Sequence, residues 1–152
     1  MIDRKMRLYF AYGSNLNREN MAQRCPDALP VMSFTLPNWR LVFRTHADIV
    51  LEEYGREGEG VPGAIYEITE RCERALDMYE GVAGGYYRKA YIGTPICPAL
   101  VYIMTDRLGS DLATPTREYY ERCVQGCKDW DLEHDHLKDA LMDTVDAGKV
   151  GA

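Results

Sequence analysis

The chain has 152 residues, enough for one domain with a sizeable core, and its 46% hydrophobic and 28% charged residues are those of a soluble, folded protein. The formal charge is −6 and no stretch concentrates Lys and Arg, which argues against nucleic acid or an anionic membrane as partner. No apolar run approaches a membrane span and no signal-peptide pattern is present, so the default location is cytoplasmic.

Residues 6–12 alternate: Met6, Leu8 and Phe10 on one side, Arg7, Tyr9 and Ala11 on the other, the pattern of a strand. A short helix is expected over 17–24, stopped by Cys25-Pro26, and a second strand over 39–44 (WRLVFR). Residues 52–60 (EEYGREGEG) read as an exposed acidic loop, because their carboxylates would repel a phosphate. A strand over 61–68 precedes a helix capped by Thr69, with Cys72, Ala75, Leu76 and Tyr79 on one face. Strands follow at 86–92 and 99–104. Thr114-Pro115 is expected to open the next helix, burying Tyr120, Cys123, Val124 and Cys127, and a last helix is expected near 132–145 with Leu137, Ala140 and Leu141 inward. No repeat or linker divides the chain, which reads as a single domain over 1–152 with 146–152 a flexible tail. Strands fill the first two thirds and helices the last third, the order of an α+β domain.

Three features carry chemistry. The first strand ends on Gly13-Ser14-Asn15, where glycine and small side chains open the main chain to a ligand and successive N–H groups can cradle a carboxylate. The loop lacks the Gly-Lys-Ser/Thr ending of a nucleotide-binding loop, Ser14 lacks the flanking glycines of a nucleophile elbow, and no spacing supports a Ser14–His46 pair. The second feature is Glu80. It lies four residues after Leu76 and eight after Cys72, so it extends the apolar stripe of its helix, and Gly81 stops the helix behind it. Helix carbonyls and burial would both disfavour a charge there and raise the carboxyl pKa toward neutrality; the alternative is a helix that frays early and leaves Glu80 solvated. The third is eleven tyrosines against three phenylalanines, with Tyr87 after the glycine pair and Tyr119 near a helix start placed to line a polar cleft. The five cysteines are irregularly spaced and read as reduced thiols. Cys123, Cys127, His134 and His136 form the best candidate zinc set, but core thiols and solvated histidines explain them better.

Together YFAYGSNL (9–16), VPGAIYEI (61–68), LDMYEGVAGGYY (76–87) and TPTREYYERCVQGC (114–127) resemble the γ-glutamylcyclotransferases, in the family's order along nearly the whole chain. The resemblance implies a small mixed β-barrel flanked by helices, with the YGSN loop and a glutamate facing one cavity. It implies a reaction in which the α-amine of a γ-glutamyl group attacks its own side-chain carbonyl, releasing 5-oxoproline and the attached amine, without metal or organic cofactor. By position it makes Glu80 the acid/base and Tyr9, Phe10, Ala11, Tyr12, Gly13, Ser14 and Asn15 the substrate loop. Tyr87 becomes a partner near the glutamate, and Tyr119, one residue from the competing Tyr120, a substrate contact. The partner is then a small γ-glutamyl molecule, and a homodimer has family precedent alone. Close rivals act on γ-glutamyl-amines or on a γ-glutamyl-protected antibiotic precursor. A non-catalytic binding domain on the same fold and a serine hydrolase through Ser14 are the alternatives of another class.

Overall fold

The computed structural model describes residues 7–52 and 60–150. In chain order they form β1 (Arg7–Ala11), a 3-10 turn (Ser14–Leu16), α1 (Arg18–Arg24), β2 (Leu29–Pro37), β3 (Trp39–Arg44), β4 (His46–Leu51) and β5 (Gly60–Ile68). These are followed by α2 (Glu70–Tyr79), β6 (Tyr87–Ile92), β7 (Ala99–Met104), α3 (Arg117–Asp129) and α4 (Asp135–Val150). The acidic loop expected over 52–60 lies outside the described residues except at its two ends. Among the described residues no helix is long and apolar enough to cross a membrane.

Strand β1 is the middle of a five-stranded sheet ordered β2-β5-β1-β7-β6. It pairs antiparallel with β5 and parallel with β7, and everything after Arg7 is buried on both faces, as a central strand requires. The fold is α+β, but the sheet does not close into the expected barrel. Strands β2 and β6 are its edges and do not pair with each other, and β3 and β4 form a separate antiparallel ribbon packed over β5 and β7. The separation begins at Asn38, the one residue between β2 and β3, whose left-handed backbone (φ 69°) turns the chain out of the first sheet.

Two strands escaped the sequence pattern. Strand β2 lies at an edge, mostly exposed, with Pro30 and Pro37 in it, so neither alternation nor an apolar run marks it. The apolar pattern of strand β4 is interrupted by Asp48, a buried carboxylate that accepts the Met104 N–H and an Arg44 N–H. Thr69 caps α2 as expected, its hydroxyl accepting from the Cys72 N–H. Helix α3 instead starts two residues later than its Thr-Pro signal: Thr116 is the cap, accepting from the Tyr119 N–H, while the Thr114 hydroxyl bonds to that of Thr144 in α4. Helix α4 continues to Val150.

Candidate active site

Beyond β1 the chain passes through Tyr12 and Gly13 into the 3-10 turn. Gly13 has φ −119°, so what it supplies is space and not a left-handed backbone. A Cβ there would stand 3.0 Å from the Ala47 Cβ and 3.2 Å from the Tyr119 hydroxyl. The turn is closed by the Leu16 N–H on the Gly13 carbonyl and the Asn17 N–H on the Ser14 carbonyl, each at 3.1 Å. The N–H groups of Ser14 and Asn15 precede the first of these bonds, as at any helix start, and have no partner within the turn among the described residues. The turn is held from behind. The Tyr66 hydroxyl donates to the Asn15 carbonyl at 3.2 Å, the Trp130 Nε1–H donates to the Leu16 carbonyl at 3.0 Å, and α3 approaches so closely at Gly126 that no side chain fits there.

Glu80 is the C-cap of α2. Gly81 follows with φ 65°, its N–H on the Met78 carbonyl, and the Val82 N–H reaches the Asp77 carbonyl. This is a Schellman ending, and it fixes the backbone that carries the carboxylate. Burial pushes the Glu80 carboxyl up to about 7, opposed by the positive charge of Arg24.

Glu80 and the turn line one cavity of about 210 Å³, together with Tyr9, Tyr12, His46, Ala47, Tyr79, Tyr87, Tyr102 and Tyr119. Three of its tyrosines donate to the protein: Tyr12 to the Tyr102 carbonyl, Tyr87 to the Ala47 carbonyl at 2.9 Å, and Tyr102 to Asp77 Oδ1 at 2.7 Å. Two accept: Tyr9 from Asn15 Nδ2 and Tyr119 from the Ala47 N–H, each at 3.0 Å. Burial holds the phenols of Tyr9, Tyr12, Tyr87 and Tyr119 far above their ordinary range, so all are neutral donors. His46, stacked edge-on against Tyr119, is pushed down by desolvation. Glu80 is thus the lining group poised to exchange a proton near neutral pH.

Comparison with known proteins bears on this constellation directly. Residues 9–131 match the family described as gamma-glutamyl cyclotransferase, AIG2-like. The chain belongs to that family. A solved structure named gamma-glutamyl cyclotransferase is 25% identical to it, with a TM-score of 0.72 over 90% of this chain and 86% of the other. An uncharacterized protein from Homo sapiens is similar to the same degree, at 25% identity and a TM-score of 0.72 over 90% and 87%. YkqA from Bacillus subtilis, 18% identical, shares the fold with a TM-score of 0.70 over 93% of this chain and 55% of its own. No curated protein sequence matches the chain.

Against the cyclotransferase motif, the structure brings Tyr9, Tyr12, Gly13, Ser14, Asn15, Glu80, Tyr87 and Tyr119 to one cavity. Phe10 and Ala11 fall outside its lining. They are fully buried within β1, and the Phe10 ring packs on Tyr12 and Phe34. Tyr119 and not Tyr120 faces the cavity; the Tyr120 ring packs against Phe43. The sequence did not point to Ala47, Tyr79 or Tyr102. Ala47 acts through its backbone, which leaves no signal in the sequence, and the surplus of tyrosines was the one hint of Tyr102. His46 and Ser14 share the cavity, but no hydrogen bond joins them. Cys123 and Cys127 are fully buried, and among the described residues no group of three or more potential ligands is placed to hold a metal ion.

Proposed function

We propose that the chain is a γ-glutamylcyclotransferase that releases 5-oxoproline from γ-glutamyl amino acids or dipeptides, with Glu80 as general acid and base. The observation that carries this reading is that the Glu80 carboxyl, pushed up to about 7 by burial, lines one cavity with the Gly13–Asn15 turn. The substrate's α-amine is an ammonium in water and must lose a proton before it can attack. Glu80 as carboxylate accepts that proton. The amine nitrogen then bonds to the γ-carbonyl carbon, closing a five-membered ring and moving an electron pair onto the carbonyl oxygen. Glu80 gives its proton to the leaving nitrogen and, as a carboxylate again, takes the second proton from the ring nitrogen. Collapse of the oxyanion then breaks the original C–N bond, leaving the lactam N–H, and the released amine takes that second proton from Glu80 and departs as an ammonium. The N–H groups of Ser14 and Asn15 and the hydroxyls of Tyr9 and Tyr119, which accept from the protein and keep their own protons, are the fixed donors proposed for the substrate carboxylate and the oxyanion. Attack is intramolecular, so holding the glutamyl chain in a folded conformer supplies much of the acceleration. In this scheme Phe10 and Ala11 serve by anchoring β1 beneath the turn.

Among the described residues no Lys or Arg side chain lines the cavity, so none of them meets the carboxylate of a leaving amino acid. This favours a second reading with the same chemistry, in which γ-glutamyl-amines or a γ-glutamyl-protected precursor are the substrates. Incubation with a panel of γ-glutamyl amino acids, dipeptides and amines, followed by mass detection of 5-oxoproline, tests both. Release from at least one class is expected, and release from none refutes the proposal. Gly13→Ala is expected to raise KM by about 10-fold through the contacts its methyl makes with Ala47 and Tyr119. Unchanged steady-state KM would show that the turn does not touch the substrate.

A further inference from the structure

We infer that Arg24, which lies outside the cavity lining, is a positioning residue for this site: it orients the Asn15 carboxamide so that Tyr9 offers its hydroxyl proton to the cavity, and its charge acts on Glu80. The inference rests on the cyclotransferase reading for its kinetic consequences but not for its geometry.

The direction of the hydrogen bonds follows from donor inventory. A guanidinium has no acceptor, so the Asn15 atom that Arg24 Nη1–H meets must be the oxygen. The carboxamide nitrogen is then the atom that faces Tyr9, at 3.0 Å, and the Tyr9 oxygen must accept. Tyr9 is buried and held between two rings, Tyr66 at 6.5 Å and Tyr102 edge-on at 5.9 Å, so the phenol cannot swing away. Its remaining hydrogen has no acceptor among the described residues, and the space in front of it is the cavity shared with Glu80. Without Arg24, the carboxamide could turn over and take the Tyr9 proton itself.

Arg24 is fixed by a second contact. Its guanidinium lies 3.3 Å from the centre of the Tyr79 ring, next in sequence to Glu80, and so ties α1 to the end of α2. The titratable groups that share the cavity with Glu80 from the other elements are Tyr9 within β1 and Tyr12 just beyond it, His46 from β4, Tyr87 from β6 and Tyr119 from α3, while Tyr102 from β7 is engaged with Asp77. The phenols are neutral, which leaves Arg24 as the cation opposing the burial of Glu80.

The test combines kinetics with an activity-independent titration. Arg24→Gln is expected to lower kcat about 10- to 100-fold, with KM changed less than kcat, and to shift the acid limb of the rate profile upward. Arg24→Lys, which keeps a charge and a donor, is expected to restore most of the rate. Tyr9→Phe is expected to lose about as much, and the double variant Arg24→Gln/Tyr9→Phe no more than the worse single. Multiplying losses, or wild-type kcat in Arg24→Gln or in Tyr9→Phe, would overturn the inference. Should Arg24→Gln fail to fold, Tyr9→Phe and Arg24→Lys carry the decision by the same criteria. The Glu80 carboxyl is also titrated by ¹³C NMR in the wild type and Arg24→Gln. An upward midpoint in the variant supports the role of Arg24 even if no γ-glutamyl compound is turned over, which would refute the proposed function alone. An unchanged midpoint refutes the role whatever the activity.

Discussion

Replacing Glu80 by Gln is expected to reduce kcat by roughly 10²- to 10⁴-fold, the range for loss of a positioned acid/base, while the fold and substrate binding persist. The carboxamide keeps the shape and polarity of the side chain at the α2 C-cap but cannot accept the ammonium proton. The wild-type rate should rise with pH through the Glu80 midpoint, near 7, because the base form is needed for attack, and the variant should lack this limb. Steady-state kinetics across pH 5–9 check both statements. A linked effect on stability has the opposite sign. In the unfolded chain Glu80 titrates near 4.3 and in the folded one at about 7, so between these values the native state holds the extra proton. Wild-type stability from this group is therefore complete below about 4.3 and lost as pH rises through about 7. The gap corresponds to about 4 kcal/mol as an upper bound, which the water that partly reaches the group reduces. Glu80→Gln has no such loss, so it should match the wild type near pH 4.5 and exceed it in denaturant titrations at pH 8. Equal pH dependence in the two proteins would contradict the burial of this carboxyl.

Gly126→Ala should lower the melting temperature, against its helix propensity. Alanine in a helix interior ordinarily gains about 1 kcal/mol over glycine. Here the added Cβ would stand 2.6 Å from the Asn17 nitrogen and 2.8 Å from the Leu16 carbonyl carbon, backbone atoms of the turn that cannot swing aside as a side chain can. Overpacking of this kind costs about 1–3 kcal/mol, or a fall of roughly 3–10 °C in Tm. Because α3 presses directly on the segment that follows Ser14 and Asn15, substrate affinity should fall with it. A rise in Tm by calorimetry would mean that α3 does not seat the turn as described.

What could be read from the sequence was what is encoded locally. The first strand, the Gly-Ser-Asn turn and the position of Glu80 all rest on short spacings: an apolar run ending in small residues, a stripe from Cys72 through Leu76, and a stop at Gly81 whose φ of 65° bears that stop out. What was missed depends on contacts between distant segments. Strand β2 earns its place through β5 and not through its own pattern, and buried Asp48 breaks β4 in sequence while bonding Arg44 and Met104 in space. Ala47 contributes N–H and carbonyl to two cavity tyrosines from strands and helices 40 and 72 residues away, a role no residue type announces. Arg24 ended a helix in the sequence; only the fold lays it on Tyr79 and Asn15. Phe10 and Ala11 show the converse: a contiguous motif names them, but a central strand buried on both faces places them in the core.

Isotopic labelling tests the central claim most directly. A γ-glutamyl substrate carrying ¹⁵N in its α-amino group, turned over in H₂¹⁸O, is expected to give 5-oxoproline that retains the ¹⁵N in its ring and contains no ¹⁸O. Release of glutamate with ¹⁸O in its γ-carboxylate would instead mean that water attacks the carbonyl, and would contradict intramolecular attack with Glu80 as its base.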